Sequence, residues 1–403
     1  VDPSVKSVLP ALHPRSCSAE DLAARALGVL GAYRRCARRQ GLGRVEQQQA
    51  CVPRSVFIEI SLRIAGLPAG GAGESDGLSS DSATVAHSSV ETVTIVDSLG
   101  RRVEVPQPVE AIISMNSGLS EVVAALGAAD RTIGRCSYSS FPSDMRRVPV
   151  VGKNSSAPNM ETIVAMEPDL VIADSMFDEG KIETLEKRGV SVIIESTSNP
   201  ERFPVLVRNL AAVLDEEERA EELLAIVDDT IAEVSTAVRA LDLPEDERTV
   251  VFFENRKPHK SASALSGHHY FITTAGGRNI AADEPVKYPA LSPEFITLEN
   301  PEVIVRRVSG DINEEAMEAM RLTIVDRPSL QSVRAVADDR VYVIKSDLFI
   351  SLRYPVGIAY FADLFYPGEL SMDPDEIHRE FIEAVYGEDE WERIREIYVY
   401  PSR

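Results

Sequence analysis

The chain has 403 residues, 44% of them hydrophobic and 26% charged, with a formal net charge of −22 at pH 7. That length accommodates two domains plus extra segments, and the acidic balance excludes a nucleic-acid partner, because a phosphate backbone needs a basic face. No run of about 18 apolar residues occurs, so no segment reads as a membrane-spanning helix.

The charge is uneven along the chain. Residues 1–60 hold 9 Lys+Arg against 5 Asp+Glu, so the acidic excess lies in the remainder. Residues 1–64 form an N-terminal segment of unknown role, with a helical pattern over 19–39 behind Ser18 as an N-cap. Residues 65–91 are rich in Gly, Ser and Ala, the composition of a flexible linker. Cys17, Cys36 and Cys51 lie in this early part and only Cys136 in the rest. Their spacing has no metal-site form, and the thiols read as unpaired small apolar groups.

A first α/β lobe spans 92–214. Residues 93–96 and 101–105 predict a hairpin around the turn at 97–100. A strand at 111–114, a helix over 119–126 closed by Gly127, and a strand from 132 follow. Next come a strand at 170–173, a helix near 181–188 and a strand at 190–194. Strands alternate with helices, the pattern of a mostly parallel sheet covered on both faces. A helix over 204–214 leads into 215–243, which contains neither Gly nor Pro. There Leu223, Leu224, Ile226, Val227, Ile231, Val234 and Val238 recur at helical spacing. Such a helix of about 40 Å reads as a spine joining two lobes. Residues 244–403 repeat the alternation as a second lobe, with strands at 249–253, 303–305 and 341–344 and helices over 268–274, 314–322, 355–364 and 374–386.

One phrase occurs twice. Glu-Thr-Ile-Val-Ala-Met-Glu-Pro-Asp-Leu-Val-Ile fills 161–172, and Glu-Phe-Ile-Thr-Leu-Glu-Asn-Pro-Glu-Val-Ile-Val fills 294–305. Each copy reads as a short helix opened by a glutamate, stopped before a proline, and feeding a β-branched strand. A unit used twice implies two similar lobes with a cleft between them. The fold class is therefore α/β: two similar lobes, each a mostly parallel sheet flanked by helices, joined by one long spine helix.

With residues 93–106, Ala-Gly-Gly-Arg-Asn-Ile-Ala at 275–281, Asp-Arg-Val-Tyr-Val-Ile at 339–344 and Asp-Glu-Ile-His-Arg-Glu-Phe at 375–381, these phrases give the sequence a family resemblance over 92–390. It resembles the helical-backbone periplasmic binding proteins, the substrate-binding proteins of ABC importers for iron–siderophore complexes, haem and cobalamin. The resemblance implies extracytoplasmic capture of a metal chelate in the interlobe cleft, an iron–siderophore complex foremost, and delivery to a membrane permease. It implies no intrinsic cofactor, the bound ligand being an iron chelate. Haem, a corrinoid or a free metal ion stay open as ligands, as does a sensor or scaffold role. No signal peptide is legible, and no lipoprotein-type context surrounds Cys51. The resemblance also assigns Glu161 and Glu294 to permease docking, one on the tip of each lobe; on the residues alone they also suit the positive end of a helix dipole.

Ligand groups in α/β lobes gather at the C-terminal ends of strands. By that rule the candidates in the first lobe are Asn116, Tyr138, Lys153 and Asn154. In the second they are Glu254, Arg256, His268, His269, Tyr270, Tyr288, Arg307 and Arg353. Arginine forks suit carboxylates, and an Arg353 between a strand and an apolar helix is an expensive idle cation. Adjacent His268 and His269 point about 100° apart on a helix, so joint chelation of one ion is disfavoured, and no protein metal site is expected. Tyr138 and Tyr288 read either as ligand contacts or as half-buried packing. No Walker loop, His-Glu-x-x-His or Gly-x-Gly-x-x-Gly stands in the chain, and no catalytic residue is expected. A two-lobed metal-cluster enzyme would need cysteine ligands in the lobes, where only Cys136 is available.

Overall fold

A computed structural model describes residues 91–310, 312–394 and 397–402. The expected segment 1–64, its helix over 19–39 and the linker up to residue 90 lie outside them. The described chain opens with the hairpin β1 (Thr92–Val96) and β2 (Arg102–Pro106), antiparallel with Val93 opposite Val105. Buried Asp97 holds its turn, accepting from the amides of Leu99 and Arg101 at 3.0 Å each, while Gly100 takes the left-handed conformation at φ +77°.

The first lobe contains β3 (Ile112–Ser114), β4 (Thr132–Cys136), β5 (Val150–Gly152), β6 (Leu170–Ala173) and β7 (Ser191–Ile194), all parallel, in the order β5-β4-β3-β6-β7. Helices α1 (Ser117–Ala125), α2 (Met160–Ala165), α3 (Glu179–Glu186) and α4 (Phe203–Leu214) cover it. The second sheet, β8 (Val250–Asn255), β9 (Arg278–Asn279), β10 (Val303–Val308), β11 (Val341–Lys345) and β12 (Val399–Tyr400), runs β12-β11-β10-β8-β9. Its helices are α6 (Gly267–Thr274), α7 (Pro293–Glu299), α8 (Glu314–Val325), α9 (Arg334–Ala337), α10 (Tyr354–Phe365), α11 (Pro374–Tyr386) and α12 (Glu388–Arg393). With the edge strand β5 set aside, the rows β4-β3-β6-β7 and β9-β8-β10-β11 are the same arrangement. The repeated phrase supplies the equivalent strand of each row, β6 and β10. Within the two five-stranded sheets only β12, antiparallel to β11, departs from the parallel pattern among the described residues.

The spine α5 (Glu217–Ala240) is shorter than the uninterrupted run 215–243. Asp215 ends α4 in the left-handed conformation at φ 59°, which separates the two helices, and Asp242 turns left-handed at φ 49° ahead of Pro244. At 1.5 Å per residue, α5 is about 36 Å long. It packs against α4 on one side and α10 and α11 on the other. The short β5, β9, β12, α9 and α12 escape a sequence reading because two to six residues carry no readable period.

One apolar cluster runs unbroken from Ile112 and Leu119 of the first lobe, through Leu223 and Val227 of α5, to Phe253, Phe271 and Phe361 of the second. The outer faces have separate clusters, around Ile163, Ile182 and Leu185 in the first lobe and around Ile296 and Ile324 in the second. At the seam, a Cβ on Gly118 of α1 would stand 1.9 Å from the carbonyl oxygen of Ile350, and one on Gly267 would stand 2.2 Å from that of Ser198. The lobes therefore touch backbone to backbone. Gly118→Ala must push this seam apart and is expected to cost about 1–3 kcal/mol, read as a lower urea midpoint in equilibrium unfolding.

Candidate functional site

A cavity of about 1220 Å³ lies at the seam, lined by the chain just beyond the C-terminal ends of strands in both sheets. Asn116 follows β3, Tyr138 follows β4, Asp174 follows β6 and Ser196 follows β7. From the second lobe come Arg256 beyond β8, Arg307 within the end of β10 and Asp347 beyond β11. These loops face one another because each sheet is parallel, so all of its strand ends point one way.

Asn116 caps α1, accepting from the Leu119 amide at 3.2 Å, and its Nδ2 donates to Asp174 Oδ2 at 2.7 Å. Below it a buried chain of hydroxyls links Ser114, Ser120 and Ser139 at 2.9 and 2.7 Å, ending 3.2 Å from the Cys136 thiol. Tyr138 and Asn154 complete this wall, Tyr138 with 42% of its surface exposed.

The opposite wall is basic. Glu254 is fully buried, and its carboxylate is clamped by Arg306 at 2.9 Å and by both terminal nitrogens of Arg327, while the His259 amide donates to it at 2.7 Å. Arg306 also donates to the carbonyl of Arg256. The loop is thereby folded tightly around Glu254, with Arg256 and His259 both left-handed at φ 61° and 59°. Glu254 thus anchors the loop that carries Arg256 and does not line the cavity.

Arg306 and Arg307 are neighbours on β10 and project to opposite faces. Arg307 Nη1 donates to Asn255 Oδ1 and to His268 Nε2, both at 3.3 Å. Since arginine only donates, His268 accepts at Nε2 and carries its proton on Nδ1. Burial, helped by Arg307, Arg256 and Lys287, holds the His268 pKa well below the usual range, so the ring is neutral. It packs on Phe253 with centroids 4.9 Å apart.

Arg353 lines the cavity, but its guanidinium is already engaged. It meets Glu121 of α1 bidentately at 3.0 and 2.7 Å and lies 4.1 Å from the centroid of Phe141. Burial alone would lower its pKa; Glu121, with Tyr398 and Asp347, outweighs burial and holds it above the ordinary value. This buried pair joins the two lobes and acts as a brace.

Of the residues expected from sequence, Asn116, Tyr138, Asn154, Arg256, His268, Tyr288, Arg307 and Arg353 come together on the cavity. Lys153, Glu254, His269 and Tyr270 do not. Lys153 is exposed outside it; His269 turns to Asn279, with 3.3 Å between Nδ1 and Nδ2; Tyr270 stands on the outer side of α6. The 100° step between adjacent helical residues explains why His268 faces the cavity and its neighbours do not. Lys260, Lys287, Asp174, Asp347 and Tyr398 also line it. Lys260 and Lys287 meet there because Lys260 bridges to Ala290, a pairing of loops without periodic signal. Glu161 and Glu294 are exposed, each two residues after a capping side chain, Asn159 on α2 and Ser292 on α7. Among the described residues no group of three or more His, Cys, Asp or Glu could hold a metal ion, and no helix is long and apolar enough to cross a membrane.

A family model described as periplasmic binding protein matches residues 112–348. The cobalamin-binding protein of Halobacterium salinarum is 27% identical over 237 residues, 54% of this chain and 59% of that protein, so the chain spans little more than half of that relative's length. The vitamin B12-binding protein of Salmonella choleraesuis is 27% identical over 204 residues, 50% of this chain and 73% of that one. In fold, CeuE of Helicobacter pylori in a nickel–histidine complex superimposes with a TM-score of 0.62 at 19% identity, covering 75% of this chain and 99% of the other.

Glu254→Gln leaves two guanidinium groups without their shared anion. It is expected to lower unfolding free energy by about 3–5 kcal/mol, measured by urea denaturation, whereas exposed Glu161→Gln is expected to stay within about 0.5 kcal/mol.

Proposed function

Because the chain belongs to the periplasmic binding protein family, the substrate-binding proteins of ABC transporters, we propose that its interlobe cavity captures an anionic metal chelate, an iron–siderophore complex foremost, and presents it to a membrane permease. Members of this family carry a ligand and do not convert it. The charge of the cavity carries the reading. In a chain of net charge −22, Arg256, Lys257, Lys260, Lys287 and Arg307 all line it. Ferric complexes of catecholates and hydroxycarboxylates are anionic, and such a wall would concentrate them while repelling cations. The volume exceeds the roughly 300–1,000 Å³ of drug-sized pockets, which suits a hexadentate chelate or a macrocycle.

A corrinoid is the second reading, favoured by the names of the Halobacterium and Salmonella relatives. Titration separates the two. Trp391, the chain's single tryptophan, packs with Phe141 and Ile394, which line the cavity. Its fluorescence is expected to be quenched by a ferric tris-catecholate with a Kd of about 1 μM or tighter, near −8 kcal/mol. Quenching by cyanocobalamin alone would replace the first reading with the second.

Docking is assigned to Glu161 and Glu294. Both are exposed carboxylates on equivalent first turns of the two lobes, and paired charges on rigid helix starts give steering and register. Glu161→Arg combined with Glu294→Arg is expected to abolish ligand uptake by cells expressing the cognate permease and to leave the Trp391 titration unchanged. Uptake at the wild-type rate would remove the docking role.

A further inference from the structure

Among the described arginines, three are buried almost completely: Arg306 and Arg307 at 5% exposure and Arg353 at 1%. Arg306 has Glu254 and Arg353 has Glu121. Arg307 has no carboxylate within ion-pair distance among the described residues. Its hydrogen bonds go to two neutral groups, Asn255 and His268, and its Nε has none. Among the described residues His268 Nδ1 beside it also lacks a partner. A buried cation satisfied only by neutral groups is costly to fold, and here the surroundings add to the cost. Burial first, and then the charge of Arg256, pull the Arg307 pKa down to about 10. Asp347 also acts on Arg307, from across the cavity wall and without a direct ion pair.

The first-lobe wall differs. Its carboxylate, Asp174, receives the Asn116 amide, and Ser137, Tyr138 and Asn154 beside it are neutral. Arg135 and Arg146 also line that side as cations, but neither is buried as Arg307 is; Arg135 donates to the carbonyls of Val148, Cys136 and Arg146, and Arg146 Nε to that of Ser140.

We infer that Arg307, flanked by Arg256 and Lys287, is an anion subsite, so that the ligand binds with its acidic pole on the second lobe. This rests on reading the cavity as the ligand site. The anion is an oxygen anion able to accept from a guanidinium fork. It comes from the carboxylate or catecholate oxygens of a ferric chelate, or from the phosphodiester of a corrinoid's nucleotide tail.

The test uses the full chain with Arg307→Met, Arg307→Lys and, as a control on an exposed helix, Lys187→Met. The first measurement is thermal unfolding in inorganic phosphate against chloride at equal ionic strength. The wild type, Arg307→Lys and the control are expected to gain stability in phosphate; Arg307→Met is expected to gain none. In chloride, Arg307→Met is expected to melt at or above the wild-type temperature, because the variant removes an uncompensated buried charge; a purely structural arginine would give a lower melting point. The second measurement is Trp391 titration with a ferric tris-catecholate, with cyanocobalamin, and with dicyanocobinamide, which has the corrin ring and no phosphodiester. Arg307→Met is expected to weaken the anion-bearing ligand by about ten- to a hundredfold. Loss with cyanocobalamin and not with dicyanocobinamide identifies the phosphodiester as the source; loss with the catecholate identifies the chelate oxygens. An equal phosphate effect in the wild type and Arg307→Met, or no effect in either, overturns the subsite. A retained phosphate effect with no binding of any of the three ligands overturns the chelate reading and leaves the subsite standing.

Discussion

Leu223, Leu224, Val227 and Val234 of α5 belong to the same buried cluster as the inner faces of both sheets. Sharing one apolar core between two lobes is the constraint on which the rest of the structure depends. A lobe that moved away would expose that surface at about 25 cal/mol per Å², and it would also open the backbone contacts at Gly118 and Gly267. The Glu121–Arg353 pair adds a charged clamp at the same seam. The cavity is therefore a gap between two lobes that share one core and meet at close backbone contacts.

Within that frame, charge is sorted by partner. Among the carboxylates near the cavity, Glu254 meets Arg306 and Arg327, Glu121 meets Arg353 and Asp174 accepts from Asn116, while Asp347 stays on the cavity wall. The basic groups Arg256, Lys257 and Lys260 remain facing the cavity without a bonded carboxylate among the described residues. An acidic chain thus presents a local positive field in one place, where low-dielectric walls strengthen it. Buried acids shape the loops, and the bases left over line the cavity.

Much of this was legible in the chain. The doubled phrase marked β6 and β10 as equivalent strands, and the rule that ligand groups follow strand ends brought Asn116, Tyr138, Arg256 and Arg307 to the cavity. The same rule misplaced Glu254, because a residue at the end of a buried strand can point behind the loop as easily as into the cleft. It misplaced His269 and Tyr270 because a helix start gives only one of three successive residues to a given side. Lys153 missed the cavity by one position, its neighbour Asn154 reaching it.

The sequence by itself determined the local elements and their doubling, because hydrophobic period, turn residues and prolines act over a few residues and need no distant partner. Only the tertiary structure decided which charges are neutralised. Glu254 meets Arg306 and Arg327 across 52 and 73 positions, and Glu121 meets Arg353 across 232. Pairing of that kind depends on where two sheets bring side chains together in space. It is what leaves Arg307 on the cavity wall without a carboxylate among the described residues while Arg353 is held as a brace.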